Sequence, residues 1–280
     1  MTDSILDAPR ADKRHHVDSM LMRESLLDKQ VMASTESPVV RMLPNVHVVK
    51  IGGRSIIDAG KSLTYPVVET LGGMLGSGTK LILGVGGGVR SRHVFSIGLD
   101  LGLPTGVLAQ VSVADALGNA HILGTLLSPY GVVAIPPEIF GHLLPLFIHS
   151  APGVIFNGVP PYSLWEHPPH IGRIPPHRTD AGCLILGECF GCASVTLVKD
   201  VDGLYTDDPR ENPSASFIDS IGARELQKRA LTSLPFDEVL PDILLNARLV
   251  KQFQVVNGRD PDRIAAAVRG EHAGTIVYAD

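Results

Sequence analysis

Two glycine-rich stretches and one acidic run hold the residue types best suited to handling an anion. In "VVKIGGRS", Lys50 precedes Gly52 and Gly53, and Arg54 follows. Paired glycines let backbone N–H groups approach a phosphate closely, and a lysine supplies the matching point charge. The spacing is not that of a P-loop, whose lysine comes after the last glycine. In "GVGGGVRSRHVF", Gly86, Gly87 and Gly88 form a second candidate nest, opening a helical pattern that begins with Arg90, Arg92 and His93. A helix N-terminus favours a phosphate, and arginine there can grip one through two hydrogen bonds. Two such turns at neighbouring strand ends are far more specific than one. They point to an anion-binding cleft.

Further motifs add acid and base. "HRTDAGCLILGECFG" opens with Thr179 and Asp180, which fit the N-cap of a helix. "LVKDVDGLYTDDP" brings a strand to its end at Lys199, Asp200 and Asp202, turns at Gly203, and continues through Tyr205, Asp207, Asp208 and Pro209. "PPEIFGHLLPLFIH" is different again, because Glu138, His142 and His149 interrupt an apolar helical pattern. At about 100° per residue the three fall within about 40° of one another. An imidazole is the commonest transition-metal ligand, so a metal-binding face is one reading. The other is a buried histidine satisfied by a carbonyl, with Glu138 favoured in a first turn after Pro136 and Pro137. Pro145 is expected to kink this helix. Cys183, Cys189 and Cys192 include one C-x-x-C pair, but no second pair completes a zinc site. They read as small buried hydrophobes near a helix end.

These residues need a scaffold. β-Rich runs at 47–52, 80–86, 132–135, 153–158, 194–200 and 253–258 mostly end at glycine, and helical patterns lie between them. Such alternation predicts a parallel sheet sandwiched between helices. Ligands of such sheets bind beyond the carboxyl ends of the strands, where residues 50–53, 84–88, 157–158 and 199–203 fall. Residues 1–43 are more polar and contain one amphipathic stretch, "DSMLMRESLLDKQVMAS". They are expected to form an extension contributing to subunit contacts, its helix packed on the main body or on a partner subunit, with a disordered tail as the other reading and the main domain at 44–280.

Composition narrows the function. Of 280 residues, 44% are hydrophobic and 19% charged, enough to bury a sizeable core. A net charge of −5 with no basic cluster argues against nucleic acid. No apolar run is long enough and free enough of charge to span a membrane, and the N-terminus lacks the apolar core of a signal peptide. A cytoplasmic location is therefore expected.

In order along the chain, Lys-x-Gly-Gly, Gly-Gly-Gly, Thr-Asp and Val-Asp-Gly-Leu-Tyr-Thr-x-Asp-Pro resemble the amino acid kinase family, which includes uridylate kinase, aspartokinase and acetylglutamate kinase. The resemblance covers about residues 46–280 and implies an α/β three-layer sandwich with a mostly parallel central sheet. It also implies ATP and Mg²⁺. Lys50, Gly52 and Gly53 would hold the transferring phosphates and Gly86–Gly88 the acceptor side, with Asp180 orienting the lysine. Arg54, Arg92, Lys199 and Pro209 would join them, while Asp202–Tyr205 and Asp207 would border the base. One departure is Asp200, which stands where uridylate kinases carry lysine. Lys199 lies one residue earlier, a shift that points a strand side chain to the opposite face and argues against a phosphate contact.

"IGGRSIID", "SRHVFSIGLDLGLP", "VPPYSLWEHP" and "IPPHRTDAGC" resemble the molybdenum-storage branch of that fold. This resemblance implies ATP-dependent storage of molybdate or tungstate as polyoxometalate clusters, inside a hexameric cage built with a related α-type subunit. Glu138 and His149 would then match cluster-binding positions, with His142 beside them. Ser163 stands where a further cluster-binding histidine is expected, and His167 and His170 are the nearby substitutes. The alternative is a uridylate kinase, with Arg92 and Gly86–Gly88 gripping the phosphate of UMP.

Overall fold

The computed structural model describes residues 40–161 and 173–280. The amphipathic stretch of the N-terminal extension, with Ser163, His167 and His170, lies outside the described residues.

The chain builds its sheet from segments too apolar to face water on either side. Strand β1 (Val46–Ile51, "VHVVKI") and strand β2 (Lys80–Val85, "KLILGV") are buried almost throughout. The same is true of β4 (Gly153–Phe156) and β5 (Ser194–Lys199). Strands buried on both faces read as near-continuous hydrophobic runs. With β3 (Val132–Ala134), β8 (Ser220–Gly222), β9 (Gln252–Asn257) and β10 (Thr275–Tyr278), they form an eight-stranded sheet in the order β3-β4-β2-β1-β5-β9-β10-β8. All its pairings are parallel except β9 with β10. The six strands expected from sequence are all present. A short hairpin, β6 (Leu204–Tyr205) with β7 (Phe217–Ile218), was not foreseen.

Helices cover both faces. On one, α1 (Lys61–Gly76), α3 (Thr105–Leu127) and α8 (Asp262–Val268) pack Leu71, Leu123 and Ile264 onto Val49, Ile51 and Leu83. On the other, α4 (Phe140–Ser150), α5 (Thr179–Phe190) and α7 (Leu240–Asn246) pack Leu144, Leu184 and Leu244 among the residues around Val48, Phe156 and Leu197. Helix α6 (Ala223–Arg229) adds Leu226 to this second layer. This is the three-layer α/β sandwich expected from the motifs. At its start, the Met42 and Leu43 N–H groups donate to the Phe190 carbonyl at 3.0 and 2.8 Å, and Leu43 is buried.

The segment 136–149 departs from the expected single helix. Pro137–Ile139 forms a 3₁₀ turn and α4 starts only at Phe140, continuing past Pro145. A 3₁₀ turn winds faster than an α-helix, so Glu138 cannot be placed on the same angular reckoning as His142 and His149. Among the described residues, no helix is long and apolar enough to cross a membrane.

Candidate active site

The site is assembled at the carboxyl ends of β1, β2 and β5. After β1, Gly52 leads into one π-helical turn, Gly53–Ile57. After β2, Gly86 and Gly87 lead into α2 (Gly88–Asp100). The two turns are pressed together, and a Cβ on Gly53 would collide with the Gly86 carbonyl oxygen and the Gly88 nitrogen. Gly88 has φ +74°, a left-handed conformation that side chains disfavour. The Gly52 and Gly86 N–H groups are engaged by the carbonyls of Val198 and Ile51, both at 3.1 Å. The N–H groups of Gly53, Gly87 and Gly88 stand at helical starts where no intrahelical acceptor exists, which leaves them as the donors these turns can offer a ligand.

Side chains missed by the sequence reading hold these turns. Asp58 Oδ2 accepts from the Val89 N–H at 2.7 Å, capping the start of α2. Asn119 is fully buried on α3, donates to the Gly86 carbonyl at 2.7 Å, and accepts from Arg90. Nothing in "ADALGNAHIL" marks Asn119 as more than a helix residue. Its role exists only because α3 crosses behind the second glycine turn.

At the centre lies a buried charge cluster. β1 and β5 run parallel with Lys50 opposite Leu197, so Lys50 and Lys199 share the face that α5 covers. Asp180 lies between them, with Oδ1 2.7 Å from Lys50 Nζ and Oδ2 2.7 Å from Lys199 Nζ. The expectation that Lys199 would be turned away is thereby corrected. The one-residue shift aims it away from the Asp200 side and toward the lysine it must join. Burial opposes the charge of Asp180, but Lys199 and Lys50 outweigh it and hold the carboxyl well below the usual range. Burial likewise opposes the charge of Lys50, yet Asp180 prevails and its pKa is raised. In Lys199, burial and then the nearby Lys50 win over Asp180, bringing its pKa down to about 8.

Asp180 is not the N-cap that the sequence suggested. Arg178 occupies that position without a side-chain cap, and Asp180 sits inside the first turn of α5. The cap comes from far along the chain. Asp237, 4% exposed, accepts at Oδ2 from the N–H groups of Arg178, Asp180 and Ala181 at 3.2, 3.2 and 3.1 Å. Its Oδ1 pairs with Arg178 Nη2 at 2.9 Å. Burial and then the nearby Asp180 push the Asp237 carboxyl above its ordinary pKa. No signal in "LPFDEV" announces this.

A cleft of about 300 Å³ opens over the cluster. Lys50, Gly52, Gly53 and Arg54 line it from the first turn, Gly86–Gly88 and Arg92 from the second, and Asp180 and Lys199 from its floor. Gly203, Tyr205, Asp207 and Pro209 line it from the acidic segment. Arg92 loses some of its basicity, through partial burial first and then repulsion by Arg54 and Arg178. Of the residues expected at the nucleotide, Leu204 is buried in the core and Asp202 is absent from the wall. It turns outward to Arg263 and Asn257, at 3.3 and 3.1 Å, and accepts from the Tyr205 hydroxyl at 3.3 Å. Tyr205 itself is fixed by the unforeseen hairpin, edge-on to Phe217 with ring centroids 5.5 Å apart.

Glu138, His142 and His149 lie elsewhere, and all three are exposed. On the same helix Leu146 is 59% exposed and Leu143 37%. Among the described residues, no group of three or more His, Cys, Asp or Glu side chains is arranged to hold a metal ion. The cysteines are free. Cys183 and Cys192 are buried as expected, but Cys189 is exposed because it lies on the outer face at the end of α5.

Comparison with known proteins agrees with this architecture. The model of the amino acid kinase family matches residues 45–248. The beta subunit of the molybdenum storage protein from Azotobacter vinelandii is 41% identical over 273 residues, covering 96% of this chain and 99% of that protein. A uridylate kinase from Methanocella arvoryzae is 27% identical over 82% of this chain and 98% of its own length. The crystal structure of uridylate kinase from Archaeoglobus fulgidus superposes with a TM-score of 0.64, at 21% identity, over 82% of this chain and 99% of that one.

Proposed function

Since this chain belongs to the amino acid kinase family, in the branch that holds the beta subunit of a molybdenum storage protein, we propose that it is an ATP-using oxometalate-storage subunit. The reading is of a cytoplasmic protein that accumulates molybdate or tungstate as polyoxometalate clusters inside a hexameric cage, together with a related α-type subunit. The observation that carries it is the 41% identity to the storage subunit, maintained over nearly the whole of both chains.

The cleft suits the nucleotide half of this activity. Lys50 and Lys199 can offset phosphate charge from the floor, and the N–H groups of Gly53, Gly87 and Gly88 can donate from the rim. Asp180 keeps both ammonium groups aimed at one point. Arg54 and Arg92 bring further positive charge to the mouth. The carboxylates of Asp180, Asp200 and Asp237 are engaged by Lys50 and Lys199, by Arg210, and by Arg178 with three N–H groups. Of the other carboxylates lining the cleft, Asp207 and Asp208 accept neutral N–H donors, so they are the protein groups that would help hold Mg²⁺ beside the phosphates. When bound with the nucleotide it shields phosphate charge.

Oxometalate would be held apart from the cleft, at Glu138, His142 and His149. Their exposure on the single chain suits groups that face a cavity enclosed by several subunits. Incubating the purified protein with molybdate and ATP, desalting it, and measuring bound metal tests the proposal. Several metal atoms per chain are expected, and one or fewer would overturn storage. The fold likeness also admits a uridylate kinase, which a coupled assay with UMP separates. Turnover at ~1–100 s⁻¹, the ordinary kinase range, would replace the storage reading.

A further inference from the structure

We infer that Asp237 is a positioning residue for phosphate chemistry in the cleft, fixing Asp180 between the two lysines and supplying the second negative charge that balances them. The inference rests on the proposed nucleotide site. It begins from a mismatch in α5. The helix starts with no cap of its own, yet its first turn carries the carboxylate on which Lys50 and Lys199 converge. A helix start without a local cap is free to fray, and one residue of fraying would swing Asp180 away. Asp237 prevents this through three N–H acceptances and an ion pair to Arg178.

Capping alone does not account for the choice of residue. Asp237 is nine-tenths buried and lines the cleft, and burial of a carboxylate is costly unless its charge is used. The groups facing the two lysines are Asp180 and Cys183 from α5 and Asp237 from the segment before α7. Arg178 sits outside, against Asp237. Cys183 is buried and its thiol pKa is pushed far up, so it stays neutral. Two buried ammonium groups, with the half-exposed Arg178 guanidinium at the edge, thus meet two carboxylates. With Asp180 alone the cluster would carry an excess buried positive charge, relieved by losing a proton from a lysine. The Asp237 charge favours the protonated form of both lysines. An arriving phosphate then meets two cations instead of one.

The test separates charge from capping. Asp237→Asn keeps an oxygen for the N–H groups and loses the charge, whereas Asp237→Glu keeps the charge. The full chain is labelled with acetic anhydride across pH 6–10, and acylation of Lys199 is followed by peptide mass spectrometry, with no nucleotide present. Lys199 is expected to become reactive near pH 8 in the native protein. That midpoint should fall in Asp237→Asn and return toward the native value in Asp237→Glu. ATP affinity at pH 8, by calorimetry, should drop at least roughly threefold in the Asn variant and recover with Glu. An unchanged midpoint in Asp237→Asn, with only a lower melting temperature, would make Asp237 a plain helix cap and overturn the inference. Should the Asn variant not fold, Asp237→Ser, a shorter neutral acceptor, carries the same measurement. Absence of ATP binding by the native protein would sink the nucleotide reading separately, while the acylation midpoints still decide whether Asp237 sets the charge of Lys199.

Discussion

Lys50 illustrates how burial changes what a substitution does. From sequence, a strand-end lysine between glycine turns is expected to add little to packing. In the fold it is 5% exposed and ion-paired to Asp180. Lys50→Ala should therefore abolish ATP-dependent activity and also cost stability. Breaking a buried pair costs about 3–5 kcal/mol, but Asp180 keeps Lys199, so a loss near ~2 kcal/mol is expected in urea unfolding. Full hydrolysis by a folded Lys50→Ala protein would refute the assignment of the floor. Lys199 gives a pH dependence whose sign can be worked out. Burial first, and then repulsion by Lys50, bring its pKa down to about 8 from the ordinary 10.5 of a lysine. A bound phosphate raises it, so binding takes up a proton once the free lysine has lost its own. ATP affinity should be flat up to about pH 8 and then fall by up to roughly tenfold per pH unit, as calorimetry in buffers of different ionisation heat can show. For folding the sign is reversed. The unfolded chain holds the Lys199 proton more tightly, so this penalty is fully present below about pH 8 and fades toward 10.5.

At the level of elements, α3 and α4 contrast. Asn119 on α3 is buried and its amide ties the Gly86 carbonyl. Asn119→Ala should cost ~1–3 kcal/mol, the penalty of leaving buried polar partners unsatisfied, and should weaken ATP binding because the second glycine turn loosens. Calorimetric melting with a parallel binding isotherm checks both effects. Helix α4 is the reverse case. Glu138 and His149 are exposed, so the reading of satisfied core groups no longer holds. Glu138→Gln with His149→Ala should leave the melting temperature of the chain unchanged. On the storage proposal it should lower bound metal while sparing ATP hydrolysis, since the cleft lies at other strand ends. Unaltered metal content per folded chain would end the metal role of this face.

For the whole molecule, the extension is best tested with a boundary taken from the fold. A truncation through residue 43 would remove the buried Leu43 and its bond to Phe190, confusing assembly with folding. Removing residues 1–39 leaves that packing in place. On the proposal of a hexamer built partly through the extension, this truncation should reduce particle mass in light scattering without lowering the stability of the remaining domain. The same mass with and without residues 1–39 would show that the extension takes no part in subunit contacts.

The sequence by itself determined the layers and the end of the sheet at which the cleft opens. Apolar runs ending at glycine, spaced by helical patterns, allow little besides a parallel sheet covered on both faces, and such a sheet gathers its loops at one end. Hence Lys50, Gly53, Gly88 and residues 199–203 could be assigned to one end of the sheet from pattern, while Tyr205 was added by the family resemblance alone. The tertiary structure decided what depends on register and on distant segments. Lys199 faces Lys50 because the β1–β5 pairing sets Lys50 opposite Leu197. Asp202 turns outward because Arg263 and Asn257 draw it there. Asp237 reaches the start of α5 across more than 50 residues of sequence. Local periodicity records which way a side chain points within its own element. It holds no information on which partner the fold will bring to it.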